Sequence, residues 1–253
     1  MKTRKVFFPN RSDIELAAYL DRPDHAAARA WAVLAHCFTC SKNIKSYKHI
    51  SQALTDQGIG VLRLDFTGIG DSKGRFADTT FATNIDDLVD AGRYLEHNYQ
   101  APQLLIGHSL GGVAAIAAAA LIPSSRAVVV IGTPDETIHL YNLLSSDRSR
   151  NGEAGRYEIM LGGKTFEITP ELLDSLQHRQ MKPVIETLGR ALLVLHAPGD
   201  DTVSLGSGER IFAAARQPKS FISLDSADHL LSDENDAYYT GHVIAAWASR
   251  YLG

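Results

Sequence analysis

The chain has 253 residues, with 25 basic and 29 acidic side chains, a formal net charge of −4 and 45% apolar residues. These values are typical of a globular protein with a large core, and the absence of a basic stretch argues against nucleic-acid binding. No apolar run approaches the roughly 18 residues of a membrane span, and no signal peptide is visible. Cys37 and Cys40 are too few for a disulfide framework and favour a reducing, cytoplasmic location.

The first half of the chain alternates predicted strands with predicted helices. Two strand-like runs at residues 5–8 and 14–20 are separated by a turn-rich link, which predicts an opening hairpin. Further strands are predicted at 30–35, 60–64, 103–106 and 127–131, and helices at 46–57, 83–99 and 113–121. This alternation predicts a doubly wound α/β fold with a mostly parallel sheet.

The alternation is interrupted between residues 133 and 190. Fifty-odd residues are too many for an ordinary connection between two core strands. A hairpin is predicted within this stretch at 157–168, followed by helices at 170–180 and 183–188. Strands at 191–196 and 220–224 and helices at 208–216 and 235–251 then restore the alternation. We therefore predict one domain, residues 1–253, with a cap inserted at 133–190.

A nucleophile motif lies at the junction of a predicted strand and helix. Gly107-His108-Ser109-Leu110-Gly111 has the pattern G-x-S-x-G, which exposes its serine on a tight turn at the end of a strand. A serine hydroxyl becomes a good nucleophile only when a base takes its proton. The motif therefore predicts Ser109 as a nucleophile, with an acid and a base later in the chain in that order.

Two loops at the ends of later strands carry the candidate acid and base, at the edge where open α/β sheets bind ligands. His229 is the histidine of the last such loop, so we predict that it is the base. Asp200 and Asp201 compete for the role of the acid, and the spacing H-x-x-x-D-x-x-V favours Asp200. Asp225 and Asp228 are weaker candidates, because they are too close in sequence to His229.

An oxyanion would need two backbone N–H donors. One is expected at Leu110, which follows the nucleophile and begins a helix, where the helix dipole favours negative charge. The other is expected in the loop after residues 30–35, at Phe38 or Cys37.

These motifs together resemble the α/β-hydrolase family of serine hydrolases, and the resemblance runs nearly from end to end. The segments HCFTCSKNI, LRLDFTGIGDSKG, IGHSLGG, HAPGDDTV and SLDSADHLLS are similar to the hydrolase half of bacterial proteins that fuse an α/β-hydrolase to an OsmC-type peroxidase domain. The chain stops at Gly253 after the hydrolase half, so the function of the peroxidase half is not carried over.

The resemblance implies a set of roles for the site residues. Ser109 would be the nucleophile, His229 the base and Asp200 the acid that orients it, while Phe38 and Leu110 would be the oxyanion donors. It also implies ester or amide hydrolysis without a metal or cofactor. Many relatives carry glycine at the position of Cys37, which is a departure from the family pattern.

Other interpretations of the same residues are weaker. The spacing Cys37-x-x-Cys40 is also that of a thioredoxin-like redox site, but the proline or tryptophan of such sites is missing and the chain is too long for that fold. A metal site from these cysteines and His36 is disfavoured, since three residues within five cannot easily converge on one tetrahedral ion. We expect His36 and His108 to pack and form hydrogen bonds beside the site. The glycine-rich segment 68–71 is predicted to be a structural turn rather than a phosphate site.

The expected substrate is a small carboxylic ester, because esters need less protonation of the leaving group than amides. A pocket for it is expected to be lined by cap residues, namely Tyr141, Leu143, Leu144, Met160 and Phe166. Amidase, aminopeptidase-like and perhydrolase activities remain open, as does a non-catalytic binding module of this fold. Nothing in the sequence indicates an oligomeric state.

Overall fold

The computed structural model describes residues 1–37, 40–146, 150–151, 157–161, 164–177 and 179–252. Within these ranges the strands are β1 (Lys2–Pro9), β2 (Glu15–Arg22), β3 (Ala30–Ala35), β4 (Ile59–Leu64), β5 (Leu104–His108), β6 (Ala127–Ile131), β7 (Arg150–Asn151), β8 (Tyr157–Leu161), β9 (Lys164–Ile168), β10 (Ala191–His196) and β11 (Lys219–Ser223). The helices are α1 (Lys45–Asp56), α2 (Phe81–Asn98), α3 (Leu110–Ala118), α4 (Ile138–Ser146), α5 (Pro170–Gln177), α6 (Lys182–Glu186), α7 (Leu205–Ala214) and α8 (Glu234–Ala248), with 3₁₀ turns at Phe76–Asp78 and Ala119–Leu121.

The main sheet has eight strands in the order β1-β2-β4-β3-β5-β6-β10-β11. The opening hairpin pairs antiparallel, and β2 also pairs antiparallel with β4. The other six strands of this sheet run parallel to one another, namely β4, β3, β5, β6, β10 and β11. The prediction of a doubly wound, mostly parallel α/β sheet is confirmed. Its parallel strands end at one edge, where their following loops come together.

The central strands are apolar on both sides because helices cover both faces of the sheet. Every residue of β3, β4, β5, β6 and β10 is buried. Apolar residues of α1 and α8 pack on one face, and those of α2, α3 and α7 pack on the other. These continuous apolar runs explain why the sequence predicts the central strands to within a residue or two.

Some helix starts differ from the sequence prediction by two or three residues, as does the start of β1. Helix α2 begins at Phe81, two residues earlier than predicted, because Thr80 and Thr83 form a reciprocal capping box. Helix α3 begins at Leu110 rather than at residue 113, because Gly111 and Gly112 already have a helical conformation.

The stretch between β6 and β10 contains α4, the antiparallel hairpin β8–β9, α5 and α6. The hairpin occurs where the sequence predicts it, whereas α4 was not predicted. Apolar residues of α5 and α6 join the same buried cluster as α2 and α3. The Phe81 N–H also donates to the Ser175 hydroxyl, which ties α5 to the start of α2. The interpretation of this stretch as a cap stays a prediction.

Candidate active site

Ser109 occupies the single residue between β5 and α3 and has a strained backbone. Its φ of 54° and ψ of −125° lie in a region that residues with a side chain rarely adopt. The Ser109 N–H donates to the Ile131 carbonyl at 2.9 Å, which fixes the turn to the neighbouring strand β6. Strain of this kind persists only where surrounding contacts hold it, and it is common at functional sites.

Two glycines allow the elbow to pack closely. A Cβ at Gly107 would collide with the carbonyl of Gly111, so strand and helix could not approach as they do. A Cβ at Gly111 would lie 2.5 Å from the His36 carbonyl oxygen. The start of α3 therefore lies against the β3–α1 loop, which comprises residues 36–44.

His229 is hydrogen-bonded to Asp200. It lies in the β11–α8 loop, residues 224–233, and its Nδ1 is 2.8 Å from Asp200 Oδ2. The other oxygen, Oδ1, accepts the backbone N–H groups of Thr202 and Val203 at 2.9 and 2.8 Å. A carboxylate accepts hydrogen bonds, so Nδ1 carries the proton and Nε2 is free to act as a base.

The Asp200 carboxyl is ionised although it is buried. Its side chain is 1% exposed. Burial is the largest influence and by itself would raise its pKa, but the hydrogen bonds from His229, Val203 and Thr202 outweigh it. The pKa of Asp200 therefore lies below its ordinary value, and the charge that would stabilise a protonated His229 is present at neutral pH.

The other three acidic candidates have different partners. Asp201 is exposed and accepts the Thr202 hydroxyl, Asp225 accepts the Ser223 hydroxyl, and Asp228 accepts the Ser232 N–H at 2.8 Å. In the described part of the chain, none of these carboxylates is hydrogen-bonded to the His229 ring.

Ser109 is adjacent in sequence to His108, whose ring lies 4.8 Å from the His229 ring between centroids. Among the described residues the Ser109 hydroxyl forms no hydrogen bond, so the structure joins His229 to Asp200 but not to Ser109. A serine–histidine bond is often loose before substrate binds and tightens in the reacting complex.

Both backbone polar groups of Cys37 form hydrogen bonds within the protein. Its N–H donates to the Tyr47 hydroxyl at 3.2 Å, and its carbonyl accepts the Nδ1–H of His36 at 2.6 Å. The Cys37 N–H is therefore already paired. Phe38, the other candidate donor, lies outside the described residues. Leu110 is the first residue of α3, so its N–H has no partner within the helix.

The two cysteines are joined in a disulfide, although so small a number of cysteines favours a reducing location. The Cα atoms of Cys37 and Cys40 are 5.2 Å apart, a separation typical of disulfides. A spacing of three residues allows this closure when the chain turns, and the Cys40 N–H indeed donates to the Cys37 carbonyl at 3.2 Å. Phe38 lies between the two bonded cysteines in the sequence. The cytoplasmic location stays a prediction.

A buried ion pair anchors the far end of the β3–α1 loop. Lys42 is fully buried, its Nζ binds the carboxylates of Asp65 and Asp71, and its N–H donates to Asp65 Oδ1 at 2.6 Å. Hydrogen bonds from Lys42 and Lys5 lower the pKa of Asp71 to about 2. A Cβ at Gly70, where φ is +60°, would collide with the Asp65 carboxylate. The glycine-rich turn thus makes room for this carboxylate, as a structural turn does.

The predicted pocket residues of the cap have diverse environments. Leu144 is fully buried in the apolar cluster, whereas Met160 is 65% exposed. The Phe166 ring packs edge-on against Phe76 at 5.3 Å between centroids, and Tyr141 is partly buried against the same cluster. The Leu143 side chain lies outside the described residues. A shared pocket for these residues stays a prediction.

No helix within the described ranges is both long enough and apolar enough to cross a membrane.

Three comparisons with known proteins place the chain among relatives. Residues 26–141 match the family model described as serine aminopeptidase, S33 (Hydrolase_4). The esterase domain of a Rhodothermus marinus protein is 42% identical, with a TM-score of 0.82 and complete coverage of both chains. Est1E from Butyrivibrio proteoclasticus, solved with ferulic acid bound, is 15% identical with a TM-score of 0.82, covering 98% of this chain and 99% of that one, and shows the fold alone.

A similar protein from Salmonella typhi has no described function. The uncharacterized protein YfhR of Salmonella typhi is 20% identical over 216 residues, which are 83% of this chain and 66% of YfhR. The chain thus spans slightly less than two thirds of that protein. The 42% identity to a solved hydrolase over its full length, together with the eight-stranded sheet, carries the assignment. The chain belongs to the α/β-hydrolase family of serine hydrolases.

Proposed function

We propose that the protein is a carboxylesterase that hydrolyses a small ester through an acyl-enzyme on Ser109. The observation that carries this proposal is the hydrogen bond between His229 Nδ1 and the buried Asp200 carboxylate, on loops beside a strained serine elbow. A base oriented by a carboxylate is what a serine hydroxyl needs to become a nucleophile. Esterase activity in the Rhodothermus marinus domain, as its name states, supports the choice of ester.

The proposed reaction has two halves. Ser109 Oγ attacks the ester carbonyl while His229 Nε2 takes the hydroxyl proton, and the C–O bond to the alcohol breaks as His229 returns that proton to the leaving oxygen. A water molecule then attacks the acyl-enzyme with His229 again as the base. The carboxylic acid leaves and Ser109 regains its proton. Asp200 keeps Nδ1 protonated and stabilises the imidazolium in both halves.

The oxyanion of each tetrahedral intermediate would be held by two backbone N–H groups. The Leu110 N–H begins α3 and has no partner within that helix, so it lies at the positive end of the helix, which favours an anion. We assign the second donor to Phe38 rather than Cys37, because the Cys37 N–H already donates to Tyr47. Removing one such donor from a serine hydrolase typically costs about 100- to 1,000-fold in kcat.

An aminopeptidase-like activity is the second candidate. The matched family model is described as a serine aminopeptidase, although it covers only residues 26–141. The same triad would serve both reactions, but an amine leaves less readily than an alcohol and depends more on protonation by His229. Paired p-nitrophenyl esters and aminoacyl p-nitroanilides measure this preference directly, and we expect the esters to be cleaved faster.

The decisive experiment is labelling with a fluorophosphonate, read by peptide mass spectrometry, alongside ester hydrolysis. We expect one label per chain on Ser109, and we expect Ser109→Ala to lose the label and at least about 10,000-fold in kcat. Ser226→Ala is the matched control, because the hydroxyl of this exposed serine donates to Asp236 on the surface. A series of esters with increasing acyl length would then define the substrate. Wild-type protein that takes no label and cleaves no ester would support a non-catalytic binding module instead.

A further inference from the structure

The His108 imidazole lies buried beside the nucleophile and contacts two other elements. Its Nε2 is 2.7 Å from the His229 carbonyl oxygen, and its Nδ1 is 2.9 Å from the Tyr47 hydroxyl. A carbonyl oxygen can only accept, so Nε2 carries the proton, and Nδ1 of the neutral ring accepts the tyrosine O–H. The two partners therefore fix the tautomer of His108 and the direction of both hydrogen bonds.

Both groups keep their neutral forms at neutral pH. Burial is the main cause that lowers the pKa of His108, and together with the smaller effect of the nearby His229 it brings this pKa to about 3. Burial also raises the pKa of the Tyr47 phenol above its ordinary value. The two side chains are 3% and 2% exposed, so water does not compete for their hydrogen bonds.

The Tyr47 hydroxyl continues this chain of hydrogen bonds into the β3–α1 loop. It accepts the Cys37 N–H at 3.2 Å, so the bonds run from Cys37 N–H through Tyr47 and His108 to the His229 carbonyl. The adjacent His36 accepts the Phe66 N–H at 3.2 Å on Nε2 and donates from Nδ1 to the Cys37 carbonyl. The peptide groups that precede Phe38 are thus held on both sides.

We propose that Tyr47 and His108 are positioning residues that hold the β3–α1 loop and the β11–α8 loop in fixed relation to Ser109. The inference rests on the proposed function, because it requires Phe38, Ser109 and His229 to act on one carbonyl. His108 directly precedes Ser109, and its ring binds the His229 carbonyl. One side chain thus positions His229 relative to Ser109. Tyr47, on α1, extends the same alignment to the oxyanion donor.

The test uses the full chain with p-nitrophenyl acetate as the probe. Tyr47→Phe removes only the hydroxyl, and His108→Leu removes both ring nitrogens. His108→Gln retains an amide N–H that can reach the His229 carbonyl. Tyr99→Phe is the matched control, because that hydroxyl accepts a hydrogen bond from Arg4 on the edge strand β1. Each variant is compared by kcat, KM, fluorophosphonate labelling rate and Tm.

We expect kcat to fall about 10-fold in Tyr47→Phe and about 100-fold in His108→Leu, with KM within about threefold, because a misplacement of 1 Å among reacting groups costs about 100-fold. The labelling rate should fall in parallel. His108→Gln should stay within about 10-fold of wild type, because its amide N–H can still reach the His229 carbonyl. Tyr99→Phe should match wild type, because Tyr99 is not part of this chain of hydrogen bonds. The double variant of Tyr47→Phe and His108→Leu should be no slower than His108→Leu alone.

A merely structural role predicts a different result. Tm would then fall in Tyr47→Phe and His108→Leu while kcat stayed within about threefold of wild type, and the inference would be wrong. Effects on kcat that multiply in the double variant would also contradict it. If His108→Leu does not fold, Tyr47→Phe and His108→Gln carry the test. Failure of the proposed function is seen separately, as wild-type protein that neither cleaves the ester nor takes the label.

Discussion

The environments of Asp200 and Asp201 differ although the two residues are adjacent. Asp200 points into the protein, where one oxygen binds His229 Nδ1 and the other accepts two backbone N–H groups. Asp201 points outward and accepts only the hydroxyl of Thr202 among the described residues. The backbone turn that brings Thr202 and Val203 under Asp200 sets this difference. Substitution of Asp200 therefore tests the role of the acid, and the same substitution of Asp201 is its control.

We expect Asp200→Asn to lower kcat by roughly 1,000- to 10,000-fold, because an amide at this position permits the wrong tautomer of the base. Asp201→Asn should stay within about threefold, since an exposed carboxylate contributes little. Ester hydrolysis by both variants, with thermal unfolding to check that they fold, measures this. Equal losses in the two variants, or a larger loss in Asp201→Asn, would mean that the acid is misassigned.

Single residues show where sequence patterns are informative and where they are not. Ser109 could be predicted because the elbow is local, with every member of the motif within five residues. The Tyr47–His108 and His108–His229 bonds join positions 61 and 121 residues apart, and no spacing rule relates them. Tyr47 is visible in the sequence only as an apolar position of a helix. Lys42 is visible only as a loop charge, because its buried partner Asp65 is 23 residues away.

The β3–α1 loop is attached to neighbouring elements at both of its ends. Tyr47 and His36 hold the peptide groups of Cys37 at one end, and the Lys42–Asp65 ion pair holds the other end. The Arg63 guanidinium also donates to the Lys42 carbonyl at 2.8 Å. The disulfide between Cys37 and Cys40 lies between these anchors and so constrains a segment that is already fixed on both sides.

We therefore expect the double variant Cys37→Ala and Cys40→Ala to retain ester hydrolysis within a few-fold of wild type, since closing so short a loop removes little chain entropy. Steady-state kinetics measures this, and titration of thiols in the unreduced wild-type protein should find none free. Single Cys37→Ala should behave as the double variant does. Complete loss of hydrolysis in the double variant would contradict this expectation and revive a thiol-dependent redox function.

On the scale of the whole molecule, the stretch between β6 and β10 is packed as part of the domain. Leu172, Leu173 and Leu176 of α5 are at most 3% exposed and share one apolar cluster with α2 and α3. The Thr137 hydroxyl donates to the Leu176 carbonyl at 2.5 Å, which ties α5 to the segment that leaves β6. Because of this packing, we expect the stretch to unfold together with the rest of the domain rather than by itself.

The strand–helix alternation on both sides of this stretch could be predicted from apolar runs, because a parallel sheet buries both faces of each strand. The order of helices and strands within the stretch could not be predicted in full in this way. Helix α4 has only nine residues, and its Leu140 and Leu144 are buried in one apolar cluster with residues of α5, which lie more than 25 positions later in the chain. Packing against distant elements, rather than local periodicity, determines that helix.

A substitution at Leu176 tests whether the stretch and the rest of the domain unfold together. Leu176→Ala should lower the free energy of unfolding by about 2–5 kcal/mol, because it removes a buried side chain from the shared cluster. Both tryptophans, Trp31 in β3 and Trp247 in α8, lie outside the stretch, so their fluorescence reports the main sheet, while far-UV circular dichroism reports every helix. In urea, both signals should shift to the same lower midpoint. Leu121→Ala is the control: its side chain is 56% exposed, and the change should be within about 0.5 kcal/mol. An early circular-dichroism transition with an unchanged fluorescence midpoint would instead mean that the stretch between β6 and β10 unfolds independently of the main sheet.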